Sequence, residues 1–205
     1  MKRYLVALVI LLVAAVAAGS PGQAHEDWCR AALTRLPVSK HDRTPERAIV
    51  HQRNRELFAV EIAKVSARAP LPPQQWASLL GAQGGIESNF DTEVVAGRCL
   101  KHQCDPKKVK GDVHFQSVGA FQQQNVAYVR DIWPTAAGNI PVQVEMADRT
   151  LRRSLSRCQR FAPFPAHVFR AYSGGSCSWP VAREAERVAT YLRLVATPKQ
   201  AGGAS

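Results

Sequence analysis

No stretch of these 205 residues repeats another, no glycine-rich loop has the spacing that cradles a phosphate, and the six histidines are scattered without a ligand-spaced pair. The first absence excludes a repeat architecture. The second argues against a P-loop or dinucleotide fingerprint, and the third leaves no zinc-hydrolase pattern. Long strand-rich segments are missing too, so the fold class reads as mainly α. Acids are scarce, 16 against 27 lysines and arginines, for a net charge of +11. That imbalance favours a polyanionic partner, and cell wall, membrane surface and nucleic acid all qualify on charge alone. Nucleic acid is disfavoured because the arginines are spread over helical segments without interleaved exposed aromatics. Nor is there a bilayer-spanning run. The longest, "LVALVILLVAAVAA" at 5–18, is shorter than the roughly 20 apolar residues a spanning helix needs.

That run follows Lys2 and Arg3 and leads into "GSPGQA", which ends on the small residue Ala24. The pattern is that of a cleavable signal peptide over 1–24, giving a secreted or periplasmic protein with no stable membrane span after cleavage. Cys29 lies past the small-residue site without a lipobox-like context, which argues against a lipid anchor. Cleavage removes Lys2 and Arg3 and leaves a net charge of +9. The remainder has the length of one domain. An N-terminal helical extension is expected over 25–70, the main domain over 71–196 and a flexible tail over 197–205.

The five cysteines are Cys29, Cys99, Cys104, Cys158 and Cys177. Export to an oxidising compartment predicts disulfides, with Cys99 and Cys104 closing the short loop "CLKHQC", Cys158 pairing with Cys177, and one cysteine left over. A metal site made of Cys99, Cys104, His102 and His114 fits no strong zinc pattern.

"RTPERAIVHQRNRELFAVEIAKVSARAP" predicts a helix capped by Thr44 and opened by Pro45, with Phe58, Ile62 and Val65 inward. After "PLPP" a second helix runs from about Gln74. Its stripe Trp76, Leu80, Gln83 advances by four and three, and the next step of four lands on Glu87. Residues 91–121 read as a small loop-like or short-stranded lobe. Ile140, Val144, Ala147, Leu151, Leu155 and Cys158 form the stripe of a third helix. A short one through "PAHVFRAY" stops at Gly174-Gly175, and a last one starts near Pro180 with Val181, Ala185, Val188, Leu192 and Val195 inward.

Glu87 therefore sits on a buried stripe, at the glycine-flanked end of its helix in "GGIESNF". A carboxyl group surrounded by hydrocarbon loses hydration in its charged form, and such an acid can keep a proton to deliver near neutral pH. Two further stretches bear on it, "SVGAFQQQN" at 117–125 and "RAYSGG" at 170–175. With "ESNF", and in this order, they resemble the lysozyme-like lytic transglycosylases, marked by a Glu-Ser at a helix end, a Gly-Leu-Met-Gln turn and an Ala-Tyr-Asn-Ala-Gly segment. "GNIPVQVEMADRTLRRSL" resembles the Asn-Ile helix between the last two marks, and the resemblance spans about residues 72–195.

The resemblance implies a lysozyme-like domain with a disulfide-stapled insertion at "CLKHQC". Glu87 would be the catalytic acid and base, with Ser88 positioning the sugar or the acid. Gly119, Ala120, Phe121 and Gln122 would form the turn, Phe121 lining the sugar groove, and Tyr172 would hydrogen-bond near the acid. Ser173 replaces the family asparagine. The substrate would be the MurNAc-GlcNAc β-1,4 bond of peptidoglycan. One glutamate would protonate that bond and then take the proton of the sugar's own 6-hydroxyl, leaving a 1,6-anhydro ring. No cofactor or metal is called for. The partners implied are glycan strands and a cell-envelope machine. A hydrolytic lysozyme would add a second acid to orient water, with Asp91, Glu93 and above all Asp112 as candidates. A non-catalytic wall binder of the same shape is the remaining alternative.

Overall fold

The computed structural model describes residues 20–98, 106–109, 112–115, 117–124, 135–161 and 163–198, with backbone alone for Pro21, 106–109, 112–115 and Gln124. The apolar run at 5–18, the expected Cys99–Cys104 bridge, Trp133 and the end of the tail lie outside those residues, as does the side chain of Asp112.

Seven helices make up the described fold. They are α1 Pro21–Thr34, α2 Pro45–Ser66, α3 Pro73–Glu87, α4 Thr92–Val95, α5 Ile140–Cys158, α6 Ala166–Gly174 and α7 Glu184–Val195. Two small antiparallel pairs complete it. Strands β1 Pro106–Val109 and β2 Asp112–Phe115 pair in register Lys108 to Val113, and β3 Ser117–Val118 and β4 Gln123–Gln124 pair around residues 119–122. The mainly α class holds, with the short-stranded lobe where the sequence predicts it. Among the described residues no helix is long and apolar enough to cross a membrane.

Local chemistry fixes the helix starts. Ser20, Thr44 and Asn139 accept from the backbone N–H of Gln23, Arg47 and Val142, and prolines stand in the first turn of α1, α2, α3 and α5. Each side-chain cap satisfies one of the four N–H groups a helix start leaves open, at about 1 kcal/mol. Gly175, with φ of +65°, ends α6 in the left-handed conformation that favours glycine.

One hydrophobic core joins all the long helices. It holds Trp28 and Leu33 from α1, Phe58 and Ile62 from α2, and Trp76, Leu79 and Leu80 from α3. Leu151, Phe169, Tyr191 and Leu194 complete it from α5, α6 and α7. Burying each such side chain contributes about 1.5–3 kcal/mol. The stretch 25–70 thus shares its core with the rest of the chain. Trp28 Nε1 also donates to the carbonyl of Thr197 at 2.9 Å, so the first residue of the expected tail is tied to α1.

The last helix departs from the sequence reading. It starts at Glu184, after Arg183 in a left-handed conformation (φ +58°), and turns Arg187, Thr190, Tyr191 and Leu194 inward, while Val188 and Val195 of the expected stripe pack half-buried against the core. Ala185 is exposed and Leu192 is 57% exposed. The reason is α3. A Cβ on Gly81 would lie 2.9 Å from Leu194 Cδ1, so the two helices meet through a glycine and Leu194, and that contact sets the rotation of α7. The Cys158–Cys177 bridge forms as expected and ties the end of α5 to the loop after α6, while Cys29 is a buried free thiol.

Candidate active site

Glu87 is the last residue of α3, and its side chain is 19% exposed. Three donors converge on one of its oxygens. Oε1 accepts from Gln83 Nε2 at 2.7 Å, from Ser173 Oγ at 3.3 Å and from Arg187 Nη2 at 2.6 Å. No donor among the described residues reaches Oε2. The expected hydrocarbon surroundings need correction: a guanidinium, an amide and a hydroxyl hold the acid, because the stripe that buries it continues into the polar edge of α7. Arg187 is itself buried. Its Nη1 donates to the carbonyl of Ala182, and its Nε has no partner.

The carboxylate opens into a cavity of about 740 Å³. One wall is the segment Leu36–His41, one is the end of α3 with Ser88 and Asn89, and one is α7 with Arg183, Glu186 and Arg193. Arg55 braces the first wall. Its guanidinium donates to the carbonyls of Leu36 and Pro37 and to Asn89 Oδ1, and burial lowers its pKa to about 10. His51 Nε2 lies 2.9 Å from the carbonyl of Asn89, and burial lowers its pKa. Asn89 and Phe90 have φ of +53° and +55°. Two successive left-handed residues without glycine are strained, and the bonds from Arg55 and His51 to Asn89 hold them in place.

The turn at 119–122 docks under the end of α3. Ser88 Oγ donates to the carbonyl of Ala120 at 2.6 Å and accepts from the N–H of Phe90 at 3.0 Å. Gly119 and Gln122 have φ of +71° and +47°. Gln122 lines the cavity, whereas Phe121 does not. The expectation that Phe121 lines a sugar groove is corrected: it is 1% exposed, edge-on to Phe58 and Phe90, because aromatic burial beneath α3 outweighs exposure at the turn. Ala120 is fully buried, its N–H donating to Gln143 Oε1. Tyr172 donates to the carbonyl of Phe121 at 3.1 Å and accepts from Gln123 Nε2. Burial, and secondarily the charge of Glu87, raise its pKa well above 10. It anchors the turn behind the acid, and Ser173, its neighbour in α6, is the residue that touches Glu87.

The structure therefore brings together Glu87, Ser88, Gln122 and Ser173, with Gly119, Ala120 and Tyr172 supporting the turn. Two candidate second acids are engaged by other groups, although Asp91 lines the same cavity. Asp91 is 1% exposed and caps α4, with Oδ1 accepting from the N–H groups of Glu93 and Val94 and Oδ2 from Ser39 Oγ. Glu93 pairs with Arg47 and Arg98. Asp112 stands in β2 opposite Val109, its side chain outside the described residues. Sequence reasoning missed Arg187, Arg183, Glu186 and the wall at 36–41. Only Arg187 left a signal, since it heads the stripe Arg187, Tyr191, Leu194 much as Glu87 ends the stripe of α3. Among the described residues no group of histidines, cysteines and acids could hold a metal ion. Comparison with protein-family models, with curated proteins and with solved structures finds no match.

Proposed function

We propose that this chain is an exported peptidoglycan-cleaving enzyme that acts on the MurNAc-GlcNAc β-1,4 bond as a lytic transglycosylase, with Glu87 as its single acid and base. The observation that carries this reading is the division of labour within one carboxylate: three donors on Oε1, and Oε2 unengaged beside a cavity large enough for a glycan segment. Oε2 is the oxygen left open to pass a proton to the substrate and to take one back. As the proton passes to the leaving glycosidic oxygen, negative charge develops on Glu87, and Arg187, Gln83 and Ser173 already point at it. Preorganised donors of this kind stabilise a transition state without reorganising. The carboxylate then takes the proton of the muramyl 6-hydroxyl as that oxygen closes on the anomeric carbon. Proton and charge both return to their starting state.

Asp91 and Glu186, the other described acids that line the cavity, are engaged by Ser39 with the start of α4 and by Arg183, and Glu93 is held by Arg47 and Arg98. This favours the anhydro route over hydrolysis, since hydrolysis would want a second carboxylate free to orient water. Purified sacculi test the proposal. Wild type should release soluble muropeptides and Glu87→Gln should not, and equal release by both would overturn the assignment. The products should carry anhydro ends, lighter by one water than reducing ends; reducing ends would instead assign a hydrolytic lysozyme.

A further inference from the structure

From residue 149 to residue 183 the chain contains seven arginines and no aspartate or glutamate. Three of them, Arg153, Arg157 and Arg160, are exposed along the outer side of α5 and the turn after it, at steps of four and three, and none pairs with a described residue. Beside them stand the exposed phenylalanine and tryptophan side chains among the described residues. Trp179 is 76% exposed, Phe161 62% and Phe164 39%. The Cys158–Cys177 bridge draws these groups into one corner, since Phe161 lies three residues after the first cysteine and Trp179 two after the second.

The corner is built, not frayed. The Cys177 sulfur lies 3.8 Å from the carbonyl of Arg157, and the N–H of Phe161 donates to the carbonyl of Cys158. The N–H groups of Ser178 and Trp179 donate to Ser176 Oγ, and Arg170, paired with Glu184, donates to the carbonyl of Ser178. Holding an indole rigidly in water exposes apolar area without offsetting burial, so the arrangement calls for something to cover it.

We infer that this corner, Arg153, Arg157 and Arg160 with Phe161, Phe164 and Trp179, docks the protein on an anionic phospholipid surface. Guanidinium groups meet phosphates, while indole and phenyl rings insert at the headgroup level, where amphipathic aromatics concentrate. Charge complementarity selects an anionic surface, because no acid interrupts the strip. The protruding geometry selects a surface over a sugar chain, since none of the three aromatics lines the cavity that holds Glu87. Trp179 stands four positions before Arg183 in the cavity wall, at most about 14 Å of backbone. Docking therefore puts the mouth of that cavity close to the lipid surface.

Vesicles with brominated acyl chains test this on the full chain, because bromine quenches only an indole that enters the bilayer. The apolar run at 5–18 carries no tryptophan, so it is silent in this readout, Trp28 and Trp76 are buried, and Trp133 is replaced by phenylalanine in every protein compared. Phosphatidylglycerol vesicles should quench the emission, and phosphatidylcholine vesicles should not. Trp179→Phe should abolish the quenching while leaving release of muropeptides from sacculi unchanged. Replacing Arg153, Arg157 and Arg160 by serine should raise the lipid concentration for half-maximal quenching about a hundredfold, at roughly tenfold or less per arginine. Quenching that survives Trp179→Phe, or equal quenching by both lipids, would overturn the proposal. So would an indole that responds to sacculi and to no vesicle. Failure of sacculus cleavage would bear only on the glycan reading.

Discussion

The pairing of Glu87 with Arg187 joins residues 100 positions apart, and breaking it from either side gives a sharp test of the site. The side chains are 19% and 5% exposed. Unit charges about 4 Å apart interact by roughly 4 kcal/mol at an effective dielectric of 20, and desolvation cancels part of that. Arg187→Met removes the cation but leaves Glu87 with Gln83, Ser173 and an open cavity, so it should cost about 2 kcal/mol. Glu87→Gln leaves a more deeply buried guanidinium facing a neutral amide and should cost about as much. The double variant replaces a charged pair with a neutral one, and its cost should fall short of the sum by about 2 kcal/mol. Urea unfolding of the four proteins, followed by far-ultraviolet circular dichroism, measures this coupling. Salt adds a check: a pair this buried should keep most of its coupling in 1 M NaCl, where an exposed pair would lose it. A coupling below about 0.5 kcal/mol would mean that the two groups do not meet in solution, and the argument for preorganised donors on Oε1 would fall with it.

Gly84→Ala should destabilise the fold by about 1–3 kcal/mol, because a Cβ there would lie 2.5 Å from Phe90 Cζ; an unchanged unfolding midpoint would contradict this packing. Replacing Cys158 and Cys177 together by serine should cost about 3 kcal/mol from the entropy of a 19-residue loop, read in the same assay. Burial raises Tyr172 well above 10 and Tyr191 to about 12, so both stay protonated in the folded chain after they ionise in the unfolded one. Stability should therefore fall as pH rises past about 10, by up to about 1.4 kcal/mol per unit for each tyrosine. Tyr172→Phe should remove one share of that slope, and an identical slope in wild type and variant would refute the burial argument.

Periodicity made α2, α3, α5 and α6 legible, since each combines a start signal or stop glycine with an apolar stripe that packs as its spacing demands. Two failures are instructive. In α1, Trp28 with Ala32 and Cys29 with Leu33 advance at helical steps, but the helix opens inside the stretch that carries the small-residue cleavage signal. Two patterns overlap there, and the signal-peptide one is the more conspicuous. In α7, Val181, Ala185, Val188, Leu192 and Val195 form a convincing stripe, yet the rotation is set by what faces it, a glycine in α3 and the carboxylate of Glu87. Arg187, Thr190, Tyr191 and Leu194 answer those neighbours, and their helical spacing alone does not single them out over the more apolar stripe. The candidate site divides in the same way. Glu87 and Ser88 belong to one helix end and could be read locally, whereas Arg187, Arg183 and the 36–41 wall reach it only through the tertiary fold.

The glycines before Glu87 show how the local and the distant are joined. Gly84 has no side chain where the ring of Phe90 lies against α3, and Phe90 in turn packs edge-on to Phe121. Phe121 carries the turn 119–122 with it. That proximity lets Ser88 Oγ reach the carbonyl of Ala120, one residue from the acid and three from the cavity-lining Gln122 when counted across the contact. A larger residue at 84 would lift Phe90, and with it the turn, away from the helix end. The requirement for glycine at that position is thus a requirement on the distance between Glu87 and the opposite wall of its cavity. Loss of activity in Gly84→Ala should then exceed what its loss of stability explains, when both are measured on protein that is still folded.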